Sequence, residues 1–433
     1  MKTLLEIREN FSLKVTFYDK AILGLTFFVF GFITQLNDLL IPHLYEFGLT
    51  FNEALMLHFT FFTSYLIVSY PFAKVIDRFG YKNGIIIGLL TVSIGCFSFY
   101  FAAETRSYIF LLASLFIVGS GVSCIQIAAN GYVVLQSKPK LEASNLTFAQ
   151  SLNSAGRVFT VIFGTIIIYS ITKINPEMMS SLSPEEYRNA ETLIIKTPYL
   201  FMAILVAILA GIFYISKLPE FKTSSLPILV KSTSTSFNNV LQIRHLLLAA
   251  IAIFTYVGAE VAIGVYMLPY LMLPNIGANL ITEAKAFEYI QYYWGMALAG
   301  RIIGGFILKD LSPRKVVAGF ALSAAFFTCV SVFSNGNIAI ISIVAVGFFN
   351  SILFPSIFTL GINGLGHFAE EGASILIASI VGGAIIPLLV ISVSDFTGLQ
   401  YAYLIPAACY LYIVYFGLYG SRFNKVESAE YVG

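Results

Sequence analysis

Residues 27–44 read FFVFGFITQLNDLLIPHL, an apolar run that carries Gln35, Asn37 and Asp38 in its middle and ends on Pro42 and His43. The run is as long as a membrane crossing requires, roughly 20 residues. A charge inside such a run is costly, so it is a functional candidate by default. Gln35 and Thr34 stand three and four residues before Asp38, on one helical face. A carboxyl group in low dielectric favours its neutral form, so a group placed like Asp38 can hold a proton at neutral pH and release it to water; the competing reading is an Asp38 permanently paired with Arg157 or Arg301.

The surrounding sequence repeats this apolar pattern along its length. The chain has 433 residues, 58% hydrophobic and 15% aromatic, with 11% charged. Average soluble domains carry about 25% charged residues, so lipid is the expected solvent for most of this surface. The expected crossings are 20–45, 53–74, 83–103, 107–136, 144–172, 195–217, 246–273, 286–308, 314–333, 337–362, 371–394 and 398–420. That makes an all-α membrane protein of about twelve helices. No cleavable leader is expected, because residues 1–20 are polar and mixed in charge. The net charge of +2 points to no nucleic-acid partner. Cys96, Cys124, Cys329 and Cys409 lie inside apolar runs and read as packing residues, and the histidines show no metal spacing.

Basic residues set the expected orientation. They concentrate at 2–20, 74–82, 138–140, 217–244, 309–315 and 422–425, while the alternate loops hold Arg106, Lys173, Arg188, Lys196 and Lys285. Both termini are therefore expected in the cytoplasm. The Ser-, Thr- and Lys-rich segment 218–244 reads as a linker between an N-terminal bundle, 1–217, and a C-terminal bundle, 245–433. The halves echo each other. Phe30-Gly31 before Pro42-His43-Leu44 matches Val257-Gly258 before Pro269-Tyr270-Leu271; Asp77 with Lys82 matches Asp310 with Lys315; Gly156 matches Gly383. An internal repeat of this kind fits a transporter whose substrate binds between two matching bundles near the midplane.

Four charges sit deep in the spans: Asp38, Arg157, Glu260 and Arg301. Glu260 could bind a proton, a cation or a substrate hydroxyl, or pair with Arg301 to fix the bundles together. Span five presents Gln150, Asn153, Ser154 and Arg157 as one polar stripe, span four adds Gln126 and Asn130 at i and i+4, and span ten adds Asn350. Neutral amides donate and accept together, which suits hydroxyl groups; the competing reading is interhelical glue. Trp294, the only tryptophan, could pack against the apolar face of a sugar ring, beside Tyr292 and Tyr293. No phosphate-binding glycine loop appears, which argues against an ATP-driven pump, and no catalytic constellation marks an enzyme.

Asp77-Arg78-Phe79-Gly80-Tyr81-Lys82 resembles the loop between spans two and three of the major facilitator superfamily, with Ala73 where a glycine is usual. Within it the chain resembles the fucose–galactose–glucose–proton symporter family, and most closely its bacterial glucose/galactose branch. The carrying motifs are Gly31 to Leu44, Gln126-Ile-Ala-Ala-Asn130, Ala149-Gln150-Ser-Leu-Asn153-Ser154, Tyr256-Val-Gly-Ala-Glu260, Tyr293-Trp294-Gly295, Gly300-Arg301, Gly347-Phe-Phe-Asn350 through Pro355, and Val381 to Ala384. The resemblance implies the major facilitator fold, with twelve helices in two pseudo-symmetric bundles of six, and alternating-access symport of a hexose across the inner membrane by a monomer. It puts the proton-linked aspartate at Asp38 and sugar contacts at Gln150 and Asn153. Gln126 stands where some members have a second carboxylate. Gly131, Asn145 and Arg157 depart from the family's proline, arginine and small residue. Gln35, Asn37, Gln126, Asn130, Glu260, Trp294 and Asn350 complete the expected substrate site, with Glu260 a second coupling candidate; Asp77, Arg78, Arg157, Arg301 and Asp310 are expected to gate or support it. No cofactor or metal is expected. The coupling ion is a proton, with sodium on Asp38 or Glu260 as the alternative, and a non-transporting sugar sensor is the alternative of another class.

Overall fold

A computed structural model describes residues 16–46, 51–138, 140–172, 183–220, 240–277 and 281–422; some helical side chains, among them those of 37–46 and 163–172, lie outside the described set. The main elements are α1 (Phe17–Glu46), α2 (Phe51–Phe79), α3 (Tyr81–Thr105), α4 (Tyr108–Gln136), α5 (Glu142–Thr172), α6 (Pro184–Ile215) and α7 (Arg244–Leu271). They continue as α8 (Glu283–Asp310), α9 (Pro313–Phe333), α10 (Gly336–Asn350), α11 (Leu353–Ile362), α12 (Ala369–Ala378), α13 (Gly382–Thr397) and α14 (Leu404–Tyr415). Helices satisfy their own backbone groups, which a lipid solvent demands. Large apolar side chains such as Ile94, Ile109, Ile204, Phe326, Ile341 and Leu411 are exposed on the outer surface, as lipid contact requires.

Among the described residues, ten helical segments are long and apolar enough to cross a membrane. The long helix α8 falls outside that set because its apolar run is interrupted by Gln291 and Arg301, and the last ten residues of α5 lie outside the described set. Helix α6 begins at Pro184, well before the expected 195. The cause is a capping box: the Ser183 hydroxyl accepts from the Glu186 amide, and the Ser183 amide donates to the Glu186 carboxylate at 2.9 Å. Hydrogen bonds from the Ser183 hydroxyl and then its amide hold the Glu186 carboxyl below its ordinary pKa. The expected span 337–362 is two helices, α10 and α11, joined by a turn at Ser351 and Ile352. Pro355 lacks the amide that would bond the Ser351 carbonyl, so the helical hydrogen-bond ladder is interrupted at this turn. The expected span 371–394 is likewise divided, α12 joining α13 through the tight turn Ser379–Val381.

Close helix contacts rest on glycine. A Cβ on Gly31 of α1 would lie 2.0 Å from the Asn153 carbonyl oxygen of α5, and one on Gly156 would lie 2.2 Å from that of Phe28. Helices α7 and α13 meet in the same manner: a Cβ on Gly382 would lie 2.0 Å from the Phe254 carbonyl oxygen. Gly382 therefore makes the contact that corresponds to Gly156. The expected counterpart, Gly383, packs on the Phe62 ring of α2 instead. Gly382→Val is expected to cost about 3 kcal/mol, the upper end of overpacking penalties, because backbone cannot yield as a side chain can. Gly211→Val is the control, since nothing lies within 4 Å of its Cβ position. Thermal melts in detergent should show a lower midpoint for the first and not the second; equal midpoints would refute this packing.

Helices α1–α6 pack chiefly among themselves, as do α7–α14. The two sets meet where α5 lies on α8 and where α2 lies on α12 and α13. At one end the junction is closed by Lys74 Nζ on the Glu371 carboxylate at 2.8 Å and by the Ser144 hydroxyl donating to the Gly305 carbonyl at 2.7 Å. There the Lys309 ammonium also lies 5.3 Å from the Phe148 ring centroid and 4.7 Å from that of Phe306.

Candidate functional site

Helix α5 presents its polar residues at helical spacing, and the structure gathers them with the polar residues of α4 and α8. Gln150 Nε2 donates to Asn130 Oδ1 at 3.0 Å. Gln126, one helical turn before Asn130, donates from Nε2 to the Tyr65 hydroxyl on α2 at 3.2 Å. Asn153 reaches the Phe27 carbonyl of α1 at 3.5 Å. The expected amide cluster therefore exists in space for Gln126, Asn130, Gln150 and Asn153. None of the four is more than 7% exposed, and the Asn130 Nδ2 is buried with no hydrogen-bond partner.

Arg301 joins the two sets of helices. From α8 its Nη1 donates to the Gln150 carbonyl at 3.0 Å, the Ser154 hydroxyl at 2.7 Å and the Asn153 Oδ1 at 3.3 Å. Its Nε donates to the Ser351 carbonyl at 3.0 Å. That carbonyl is free because Pro355 cannot bond it, so the break in span ten creates an acceptor and Arg301 takes it. The expected alternative of an Arg301–Glu260 ion pair is not formed; Arg301 spends its donors on neutral oxygens instead. Glu260 on α7 is 9% exposed and forms no ion pair among the described residues.

Asn350 is 1% exposed and donates to the Tyr293 hydroxyl of α8 at 2.9 Å, which orders the ring beside Trp294. The guanidinium of Arg157 lies 5.0 Å from the centroid of the Trp294 ring, a cation–π contact between α5 and α8. The indole face expected to meet a sugar is thus already approached by a cation. The Arg157 Nε and the Gln35 Oε1 are buried with no hydrogen-bond partner. Asn37 and Asp38 lie on α1, but their side chains are outside the described residues. Asp77, Arg78 and Asp310 stand apart from the cluster at helix ends: Asp77 and Arg78 close α2, and Asp310 is exposed at the last position of α8. The four cysteines are free thiols.

Tyr65 and Ser351 were not anticipated as members of the cluster. Tyr65 is one aromatic among many in a chain that is 15% aromatic, and nothing in its local sequence sets it apart. Ser351 had a readable signal in Pro355, four residues on in an apolar run, which always frees the carbonyl four positions back.

Two sets of membrane helices, joined by a buried polar cluster that draws residues from both, are the architecture of a secondary transporter. The chain belongs to the Major Facilitator Superfamily, whose family profile matches residues 23–385. It is 39% identical over 408 residues to a glucose/galactose transporter of Brucella abortus, covering 94% of this chain and 95% of that protein. It is 31% identical over 409 residues to the L-fucose-proton symporter of Escherichia coli, covering 93% of each. The crystal structure of the E. coli fucose:proton symporter superposes with a TM-score of 0.83 at 30% identity, over 95% of this chain and all of that one. The chain is a membrane transporter and not an enzyme.

Proposed function

We propose that this protein takes up a hexose of the glucose/galactose kind together with a proton, by alternating access between two bundles. The observation that carries the reading is Arg301. One buried guanidinium on α8 holds three oxygens of α5 and one at the α10–α11 break, so both sets of helices build one polar centre in an apolar molecule. Its amides have the donor and acceptor mix that hydroxyl groups need. The relatives named for glucose, galactose and fucose support a hexose, and the fucose–proton symporter supports the proton.

In this reading about twelve helices cross the cytoplasmic membrane, with both termini in the cytoplasm and residues 218–244 linking bundles 1–217 and 245–433. The protein works as a monomer in the bilayer. Asp38 carries the proton and Glu260 supports it. Gln35, Asn37, Gln126, Asn130, Gln150, Asn153, Trp294 and Asn350 serve the sugar, with the amide pairs exchanging their mutual bonds for sugar hydroxyls. The Asp77–Arg78 and Asp310 loops lie at the Lys74–Glu371 end, which closes while the opposite end admits substrate. Proton and sugar must favour the same state, because only differential affinity shifts a conformational equilibrium.

The test is uptake of labelled galactose into proteoliposomes. One proton per sugar should give about tenfold accumulation for each pH unit imposed, since a pH unit is worth about 1.36 kcal/mol. Accumulation that ignores the pH gradient, or that stops when choline replaces sodium at fixed pH, would overturn proton coupling.

A further inference from the structure

Arg157 carries the uncommitted charge of the centre. Among the described residues its guanidinium contacts the Trp294 ring and makes no ion pair, and its Nε is buried without a hydrogen-bond partner. Arg301 does not relieve the excess, because every acceptor it holds is neutral. Glu260, buried on α7, offsets one of these two cations in the charge count. Under the symport proposed above, Asp38 is protonated and neutral when the substrate is carried. The loaded centre then keeps a net positive charge, carried by a half-buried Arg157 whose Nε lacks a partner, and such a charge favours an anionic ligand.

A neutral hexose leaves that charge in place. A hexose whose C6 is oxidised to a carboxylate removes it, and a carboxylate is the planar partner that a guanidinium binds through two parallel hydrogen bonds. The position of Arg157 suits this role. A guanidinium held over an aromatic face keeps its in-plane N–H groups directed away from the ring, so the edge that meets an anion is preset by Trp294. The sugar ring would sit among the amides of α4 and α5, one face toward Trp294.

We infer that this site selects a sugar acid of the hexuronate class, with Arg157, braced on Trp294, binding the substrate carboxylate. The inference rests on the sugar-transport reading and refines its substrate. It makes Arg157 the specificity-determining residue.

The test uses the purified full chain in detergent and labelled D-galacturonate, displaced by unlabelled D-galactose or D-galactose 6-phosphate, which differ from it only at C6. Galacturonate is expected to bind at least about tenfold more tightly than galactose, a difference of about 1.4 kcal/mol. Arg157→Gln should lose that preference, and Arg157→Lys, which keeps the charge, should retain part of it. Monodisperse elution of both variants and their residual galactose binding report folding separately from selectivity. Galactose binding as tightly as galacturonate, or a preference unaltered in Arg157→Gln, would overturn the sugar-acid inference while leaving hexose transport standing. Tighter binding of galactose 6-phosphate than of galacturonate would overturn the carboxylate. Binding of none of these sugars would overturn the transport reading and the inference together.

Discussion

Asp38→Asn is expected to abolish sugar accumulation and to spare exchange. In proteoliposomes with one pH unit imposed, the native protein should concentrate galactose about tenfold, and the variant should only equilibrate it. The amide matches the protonated carboxyl in shape and neutrality but never gives a proton up, so it holds α1 permanently in the loaded form. Coupling requires that the group be charged in one part of the cycle and neutral in another. Full accumulation by Asp38→Asn would remove this residue from the mechanism and pass the role to Glu260, a buried carboxylate of α7. Loss of exchange as well as accumulation would show instead that Asp38 holds the sugar or the fold.

Arg301→Gln is expected to cost about 3 kcal/mol or more in stability and to abolish sugar binding. Removing the guanidinium leaves the Ser351 carbonyl and the Ser154 hydroxyl without their donor. Each buried group left unsatisfied costs about 1–3 kcal/mol. Because these contacts tie α5 to α8, their loss also frees Gln150 and Asn153 from the register in which the proposed function has them meet substrate. Arg301→Lys should not restore function: a single ammonium cannot reach both the Ser351 carbonyl on one side and α5 on the other from a fixed fork. Thermal melts paired with sugar binding check this, and a native-like midpoint together with native binding in Arg301→Lys would refute the bridging role.

Much of the local structure was readable along the chain. Apolar runs near membrane length located the helices, and interruptions by Gln, Asn and Arg singled out α5 as functional. The start of α6 at Pro184 was readable too, since Ser183, Pro184 and Glu186 form a capping box. It was passed over because the segment is polar, and a helix projecting beyond lipid need not be apolar. The hydrogen bond missing at the break between α10 and α11 follows from Pro355. What that break is for does not follow locally, because the Ser351 carbonyl is claimed by a side chain fifty positions earlier.

Asp38 and its neighbours mark the division most clearly. The sequence by itself determined that lipid is the solvent, where helices form, and that Asp38, Arg157, Glu260 and Arg301 are charges placed where charge is costly. These conclusions depend on composition and spacing, which are local. Only the tertiary structure decided the partners: Arg301 binds α5 rather than Glu260, Gln150 meets Asn130, and Arg157 rests on Trp294 with no ion pair among the described residues. A buried polar group must find a partner, and the sequence states that demand. Which group meets it depends on how helices far apart in the chain are brought together, and here that is set by glycine contacts such as Gly31 on Asn153.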